Sequence, residues 1–273
     1  MGRVPIKSER EIELIRESCR IVAEVLVLVG TRIRPGVTAR ELDAFAEEYI
    51  RSKGAEPAFK GYGHDRKNLF PGTRCISIDD EVVHGIPDGR ILREGQVVSV
   101  DVGVRRKGYY GDGARTFAVG SASEEKARLM RVTEESLGKG VAQAQGGHHL
   151  HDVSHAVQQH VEAEGFSVVR ELVGHGIGKE LHEEPAVPNF GTAGTGILLK
   201  PGMVLAIEPM VNAGTHKVLV DDDGWTVRTA DGKPSAHFEH TVAVTSNGVE
   251  VLSKPAAKEQ VHEGTSVSQA HLR

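Results

Sequence analysis

The chemistry of this chain concentrates at Asp101, Asp112, His175, Glu208 and Glu239. Val98, Val100, Val102 and Val104 share one face of an alternating segment, with Ser99, Asp101 and Gly103 on the other. That is the period of a strand with one apolar side. Arg105-Arg106-Lys107-Gly108 reads as a turn and Tyr109 to Val119 as the return strand. Folded about the middle of that turn, the hairpin sets Asp101 opposite Asp112, and cross-strand partners hold their Cβ atoms about 4.5–5.5 Å apart. Two carboxylates so placed repel each other unless a divalent metal, a shared proton or an arginine stands between them.

The motif recurs. Leu92-Arg93-Glu94-Gly95-Gln96-Val97-Val98-Ser99-Val100-Asp101 returns as Leu199-Lys200-Pro201-Gly202-Met203-Val204-Leu205-Ala206-Ile207-Glu208, acid on acid. His84-Gly85-Ile86 is echoed by His175-Gly176-Ile177, and Gly36 to Gly54 by Gly147 to Gly165. The period is too long for a solenoid. It describes two related halves, each helix, helix, strands and hairpin, with a site between them that draws carboxylates from both.

Each remaining member of the set has a plainer reading beside the functional one. His175 stands among Gly174, Gly176 and Gly178, which let a backbone approach a ligand closely; it is a metal ligand or catalytic group, or else a turn histidine. Glu208 lies in an apolar run, where a carboxylate needs a cation or a metal as partner. Glu239, in His237-Phe238-Glu239-His240-Thr241, is a surface residue at a strand end if taken alone. Together, four carboxylates and one imidazole suit two divalent ions with shared ligands, an arrangement that activates water for hydrolysis.

Other signals are weaker. His148, His149, His151, His155 and His160 crowd one helix, but no HExxH pattern follows and a solvated face is expected. Cys75 and Ser77 lack a His-Asp arrangement for nucleophilic catalysis. Gly111-Asp112-Gly113 has no following Lys for a phosphate loop. Asp221-Asp222-Asp223-Gly224 lacks the distal Glu of a calcium loop and reads as a turn.

The 273 residues are 39% hydrophobic, enough for a sizeable core, and no linker separates the repeats, so a single domain over residues 1–253 is expected. A net charge of -5 with scattered Lys and Arg argues against a nucleic-acid surface. No apolar run approaches a membrane span of ~20 residues. The N-terminus has no hydrophobic targeting core, and Cys19 and Cys75 are read as reduced thiols in a cytoplasm.

The elements that must position the site follow from caps and periodicity. Ser8-Glu9-Arg10-Glu11 opens a helix with Ile12, Ile15, Cys19, Val22 and Leu26 on its apolar stripe, closed by Gly30. Thr38-Ala39-Arg40-Glu41 opens a second, with Leu42, Phe45, Ala46 and Tyr49 inward until Gly54. Residues 55–90 read as irregular. A third helix starts at Ser121 to Glu124, and a fourth runs from about His148 to Glu164. Strands are expected at Val168–Val173, Met203–Val211, Val218–Val220 and Trp225–Thr229. A closing hairpin, Thr241–Val244 and Val249–Leu252, turns at Asn247-Gly248. From Lys254 the pattern is lost, and residues 254–273 read as a disordered tail.

From about Val4 to Leu252 these motifs resemble the type I methionine aminopeptidases. The resemblance rests on Val82-Val83-His84-Gly85-Ile86-Pro87, Val100-Asp101-Val102-Gly103, Gly111-Asp112, Gly174-His175-Gly176-Ile177-Gly178, Leu181-His182-Glu183-Glu184-Pro185, Ala206-Ile207-Glu208-Pro209-Met210 and Phe238-Glu239-His240-Thr241. It implies the α+β pita-bread fold, an antiparallel sheet with helices outside. It implies that the five residues ligate two divalent metals (cobalt, manganese, iron(II) or zinc), with Asp112 and Glu239 bridging. His84 and His182 would contact the scissile amide, Glu208 would shuttle the proton, and the substrate's α-amino group would bind one metal. Tyr62, Phe70, Cys75 and Trp225 would line the methionine pocket. The stretch Gly63–Leu69 is about five residues longer than the family's pattern and is where the pocket departs from it. The implied partners are peptide and nascent-chain N-termini, which leaves ribosome association open, and the implied state is a monomer. A related Xaa-Pro peptidase and a non-catalytic binding module are the alternatives; the first usually carries a large N-terminal domain, the second loses metal ligands.

Overall fold

Ser8 starts the first helix as its cap predicts. In the computed structural model, which describes residues 3–63 and 65–255, Glu11 N–H donates to the Ser8 hydroxyl while the Glu11 carboxylate accepts from Ser8 N–H. This box opens α1 (Glu9–Gly30), and Thr38 with Glu41 repeats it for α2 (Ala39–Ser52). Ser123 caps α3 (Glu124–Gln143), and α4 (Leu150–Ala163) begins after His149, whose N–H donates to Asp152.

Seventeen short strands complete the described residues. The first half has β1 (Glu56–Pro57), β2 (Cys75–Ile78), β3 (Glu81–Val83), β4 (Val97–Asp101), β5 (Val104–Arg106), β6 (Tyr109–Gly111) and β7 (Ala114–Ala118). The second begins with β8 (Ser167–Val168), β9 (Gly174–Gly176), β10 (Glu183–Val187), β11 (Val204–Ile207) and β12 (Met210–Asn212). It continues with β13 (Val218–Val220), β14 (Val227–Thr229), β15 (Ser235–His237), β16 (His240–Thr245) and β17 (Gly248–Val251). Pairing is antiparallel throughout and divided among five sheets.

The duplication is built into the hydrogen bonds. Gly36 N–H donates to Leu92 O as Gly147 N–H donates to Leu199 O, and Leu92 N–H returns to Val37 O as Leu199 N–H returns to His148 O. Gly95 reaches Val119 as Gly202 reaches Val244. The core divides the same way. Side chains of α1 and α2 bury Ile76, Val98, Val100, Val102 and Val104, while α3 and α4 bury Leu205, Ile207, Val242 and Val244. A third cluster, including Phe59, Phe70, Cys75, Ile177 and Leu181, lies where the halves meet.

Several expectations change. The first hairpin turns on Lys107-Gly108 alone, at φ +51° and +82°, while Arg105 and Arg106 stay in β5. Two positive-φ residues are what a two-residue hairpin turn matched to strand twist requires. The register therefore puts Asp101 opposite Ala114, not Asp112. A slip of two residues preserves the face, so both carboxylates still point to the same side. Residues 55–90 hold β1, only two residues long, and β2 and β3, buried along their whole length, so none of them alternates. Val168–Val173 ends at Val168, and the run Met203–Val211 breaks after Ile207, with β12 joining another sheet. The His84–His175 echo is not a structural one. Ser77 pairs with Ser99 as His175 pairs with Ala206, and Ser99 and Ala206 hold the same place in the repeat. Of the tail assigned from Lys254, residues 256–273 lie outside the described residues.

Candidate active site

Each half carries one carboxylate to the centre on the strand of the repeat. Asp101 ends β4 and Glu208 follows β11. Asp112 sits between β6 and β7. Its N–H meets the Thr241 hydroxyl at 3.2 Å, and that hydroxyl donates back to the Asp112 carbonyl at 2.8 Å. Glu239 precedes β16, its N–H bonded to Ala114 O at 2.9 Å. Thr241 and Ala114 thus tie the two hairpins together at the acids they carry.

His175 completes the group. Its Nδ1 lies 2.9 Å from Gly176 O, where only N–H can donate, so Nε2 keeps its lone pair. That lone pair stands 4.0 Å from Asp112 Oδ2 and 3.6 Å from Glu208 Oε1. The flanking glycines are required: a Cβ on Gly174 would strike Ala206 O, and one on Gly176 would strike Glu184 O. Ligand atoms of Asp112, His175 and Glu239 lie within 4.8 Å of one another.

Asp101 Oδ1 and Glu239 Oε1 are buried without a hydrogen-bond partner. Burial, then repulsion from neighbouring acids, pushes Asp112, Glu208 and Glu239 well above the usual carboxylate range, and burial pushes Asp101 up to about 7. Desolvation, then His182, lowers His175 to about 3. Bare carboxylate oxygens around a neutral imidazole are a hard, oxygen-rich donor set with nothing positive inside it, and it fits divalent cations.

Above this floor stand the other expected residues. His182 packs edge-on to His175, ring centroids 4.3 Å apart, and its Nδ1 is 2.5 Å from the Tyr62 hydroxyl. His84 adopts φ +59°, rare for a residue with a side chain; desolvation lowers its pKa to about 4. Gly85 holds that loop down, its N–H on Ser77 Oγ at 3.1 Å. Phe70 and Trp225 meet edge-to-face at 5.3 Å and share one cluster with Cys75 and Tyr62. The stretch Gly63–Leu69 is an excursion: Phe70 N–H returns to Tyr62 O at 2.8 Å, Gly63 packs under Trp225, and Asn68 reaches Asp223 O. Tyr62 and Phe70 are adjacent through that hydrogen bond.

The residue that sequence reasoning passed over is His237. It is buried, with Nε2 3.8 Å from Glu208 Oε2. Its signal was alternation, since His237, Glu239 and Thr241 stand at every second position of the sequence. The other weak signals resolve as structural. His151 bonds Thr195 and His160 bonds Glu135 on a half-buried face of α4, less solvated than expected. Asp223 accepts from Trp225 and Thr226 within a turn. Both cysteines are free and buried, and no helix among the described residues is long and apolar enough to cross a membrane.

Comparison with known proteins agrees with this geometry. The model of metallopeptidase family M24 matches residues 13–246. A methionine aminopeptidase of Clostridium perfringens is 53% identical, over 91% of this chain and 98% of its own. The crystal structure of a methionine aminopeptidase from Thermotoga maritima superposes with a TM-score of 0.89 at 46% identity, covering 92% of this chain and 100% of its own. A prolidase from Pyrococcus furiosus gives a TM-score of 0.74 at 25% identity, and the match spans 66% of that longer chain.

Proposed function

This chain belongs to metallopeptidase family M24, with its pita-bread fold, and on that premise we propose that it removes the N-terminal methionine from peptides and nascent proteins whose second residue is small. The observation that carries the reading is the buried group of Asp112, His175 and Glu239, with Asp101 beside Asp112 and Glu208 beside His175, near the cluster that holds Tyr62, Phe70, Cys75 and Trp225. An unbranched, polarizable thioether suits aromatic and thiol neighbours.

Asp101, Asp112, His175, Glu208 and Glu239 would hold two divalent cations, Asp112 and Glu239 shared between them. Such cations supply Lewis acidity and make water nucleophilic at neutral pH. Glu208, one residue past the end of its ladder, takes up a proton and passes it to the leaving amine. Only the Tyr62 hydroxyl can donate if His182 Nδ1 accepts, which leaves the His182 proton on Nε2. That N–H is the donor for the developing oxyanion. His84, neutral and fixed by its loop, accepts from the scissile amide N–H. The chain acts as a monomer in the cytoplasm, meeting nascent N-termini at the ribosome.

Methionine release from Met-Gly, Met-Ala, Met-Val and Met-Leu peptides, beside Xaa-Pro peptides, tests the reading. Rapid release from Met-Gly and Met-Ala is expected, with a loss of about 100-fold for Met-Leu, since an error of 1 Å at the reacting carbonyl costs that much. Comparable rates for Met-Ala and Met-Leu would remove the second-residue rule. Cleavage confined to Xaa-Pro would move the chain to the prolidases.

A further inference from the structure

His237 is 1% exposed, and neither of its ring nitrogens has a hydrogen-bond partner. Leaving buried polar atoms bare is unfavourable, and an apolar side chain of the same size would pack there without that cost. The ring is also held in one place. His237 N–H donates to Thr116 Oγ1 at 2.9 Å, and the same hydroxyl donates to the His237 carbonyl at 2.8 Å. On its other side β15 pairs His237 with Met210, two residues beyond Glu208.

This clamp aims Nε2 at the outer edge of the Glu208 carboxylate, 3.8 Å from Oε2. The inner oxygen, Oε1, faces His175 Nε2 at 3.6 Å. The two imidazoles that flank Glu208 are not equivalent. His175 has committed its N–H to Gly176 O, so it turns a lone pair toward the acid. His237 has committed nothing, and its Nε2 is free to carry the proton. Neither distance is a hydrogen bond as it stands; a movement of about 1 Å brings His237 into the 2.7–3.2 Å range. The Glu208 backbone is pinned through its carbonyl, which accepts from Asn189 Nδ2 at 3.0 Å, so that adjustment falls to the side chain.

We propose that His237 is a positioning residue: its neutral imidazole donates Nε2–H to Oε2 of Glu208 and sets the angle from which that carboxylate receives and returns a proton. The proposal rests on the reading of Glu208 as proton carrier at a cation site. Partners of this kind that orient a metal-site carboxylate are worth about 10–100-fold in affinity or activity.

Three variants test it. H237L removes both ring nitrogens, H237Q places an amide N–H where Nε2 stands, and H237N places one where Nδ1 stands. With Mn2+ and a Met-Ala-Ser peptide, H237L is expected to lose about 10–100-fold in kcat with little change in KM. Calorimetry is expected to show its Mn2+ affinity weakened about tenfold. H237Q restores most of both losses and H237N does not. The metal-free melting temperature of H237L stays at or above that of the wild type, because two bare buried nitrogens are gone. Wild-type kcat and Mn2+ affinity in H237L would overturn the proposal, as would equal behaviour of H237Q and H237N. Should H237L not fold, the ranking of H237Q over H237N still decides it. Absence of methionine release by the wild type would instead count against the aminopeptidase reading, and the affinity gap between wild type and H237L would still decide the contact to Glu208.

Discussion

Asp101 and Glu208 hold the same place in the repeat, yet the two halves treat them differently. Asp101 is the last residue of β4, its backbone paired with Cys75 on one side and Ala114 on the other. A short side chain on a doubly paired strand has little freedom. Glu208 stands one residue past β11, where the ladder stops before Pro209 and the chain crosses to another sheet. It has an extra methylene and a backbone held by Asn189 alone among side chains described for it. The repeat thus supplied two carboxylates, and their surroundings fixed the backbone of one in a paired strand and left the other beyond the end of its ladder. The histidines divide likewise. The second half carries His175 on the strand itself, while the first has Ser77 at the matching position and uses its hydroxyl to tie down the loop bearing His84.

The contrast can be broken at its centre. Asp112 lies between the halves, so Asp112→Ala should abolish turnover and high-affinity metal binding while the protein stays folded, since losing one acid relieves its repulsion with Glu239 and Asp101. Normal peptide hydrolysis by that variant would remove the shared-ligand model. Next in size is His182→Ala. An oxyanion donor acts mainly in the transition state, so kcat should fall about 10²–10³-fold with KM little changed. A change confined to KM would make His182 a ground-state contact.

pH separates carboxylates from histidines. Burial raises the folded pKa of the four acids, so the metal-free protein keeps protons that the unfolded chain has lost; their contribution to stability is complete below about pH 4 and disappears as pH rises through the raised values, near 7 for Asp101. The buried histidines act oppositely. With folded values of about 3–4 at His84, His175 and His237, their contribution is present above about pH 6.5 and lost below it. Above about pH 7 the unfolded histidines are mostly neutral and the acids dominate, so the metal-free melting temperature should fall between pH 7 and 8. Cation affinity should rise over the same span, because binding displaces those protons. Thermal scans with and without chelator, and calorimetry in two buffers, read both. A metal-free protein whose melting temperature does not fall over that range would mean the acids are already ionised.

The smallest effect sharpens the comparison of halves at Gly95 and Gly202, which share a repeat position and have φ +82° and +92°. Alanine at either site costs about 1–2 kcal/mol from the left-handed backbone. At Gly95 the new Cβ meets nothing nearer than Ser121 O at 3.8 Å, but at Gly202 it meets Ile6 Cγ2 at 2.6 Å and Lys7 O at 2.8 Å. G202A should therefore melt below G95A, by about 2–4 °C for each further kcal/mol. Equal melting temperatures would show that the segment before α1 yields freely.

Caps, alternation and the repeat are legible along the chain, and what depends on them could be read there: four helices, the valine face of β4, two related halves and the five ionisable residues that converge. The sequence could not set the register of the first hairpin, because Arg105-Arg106-Lys107-Gly108 permits several turns, and Lys107 at φ +51° is chosen by the pairing of β5 with β6. Nor could it find β2 and β3, since strands buried on both faces lose the polar alternation that marks a strand. That His175 answers to Ser77, that Glu208 leaves its ladder and that His237 lies beside Glu208 came from the folded chain alone. Those relations join residues far apart in the chain, and a pattern read along the chain carries no distance across it.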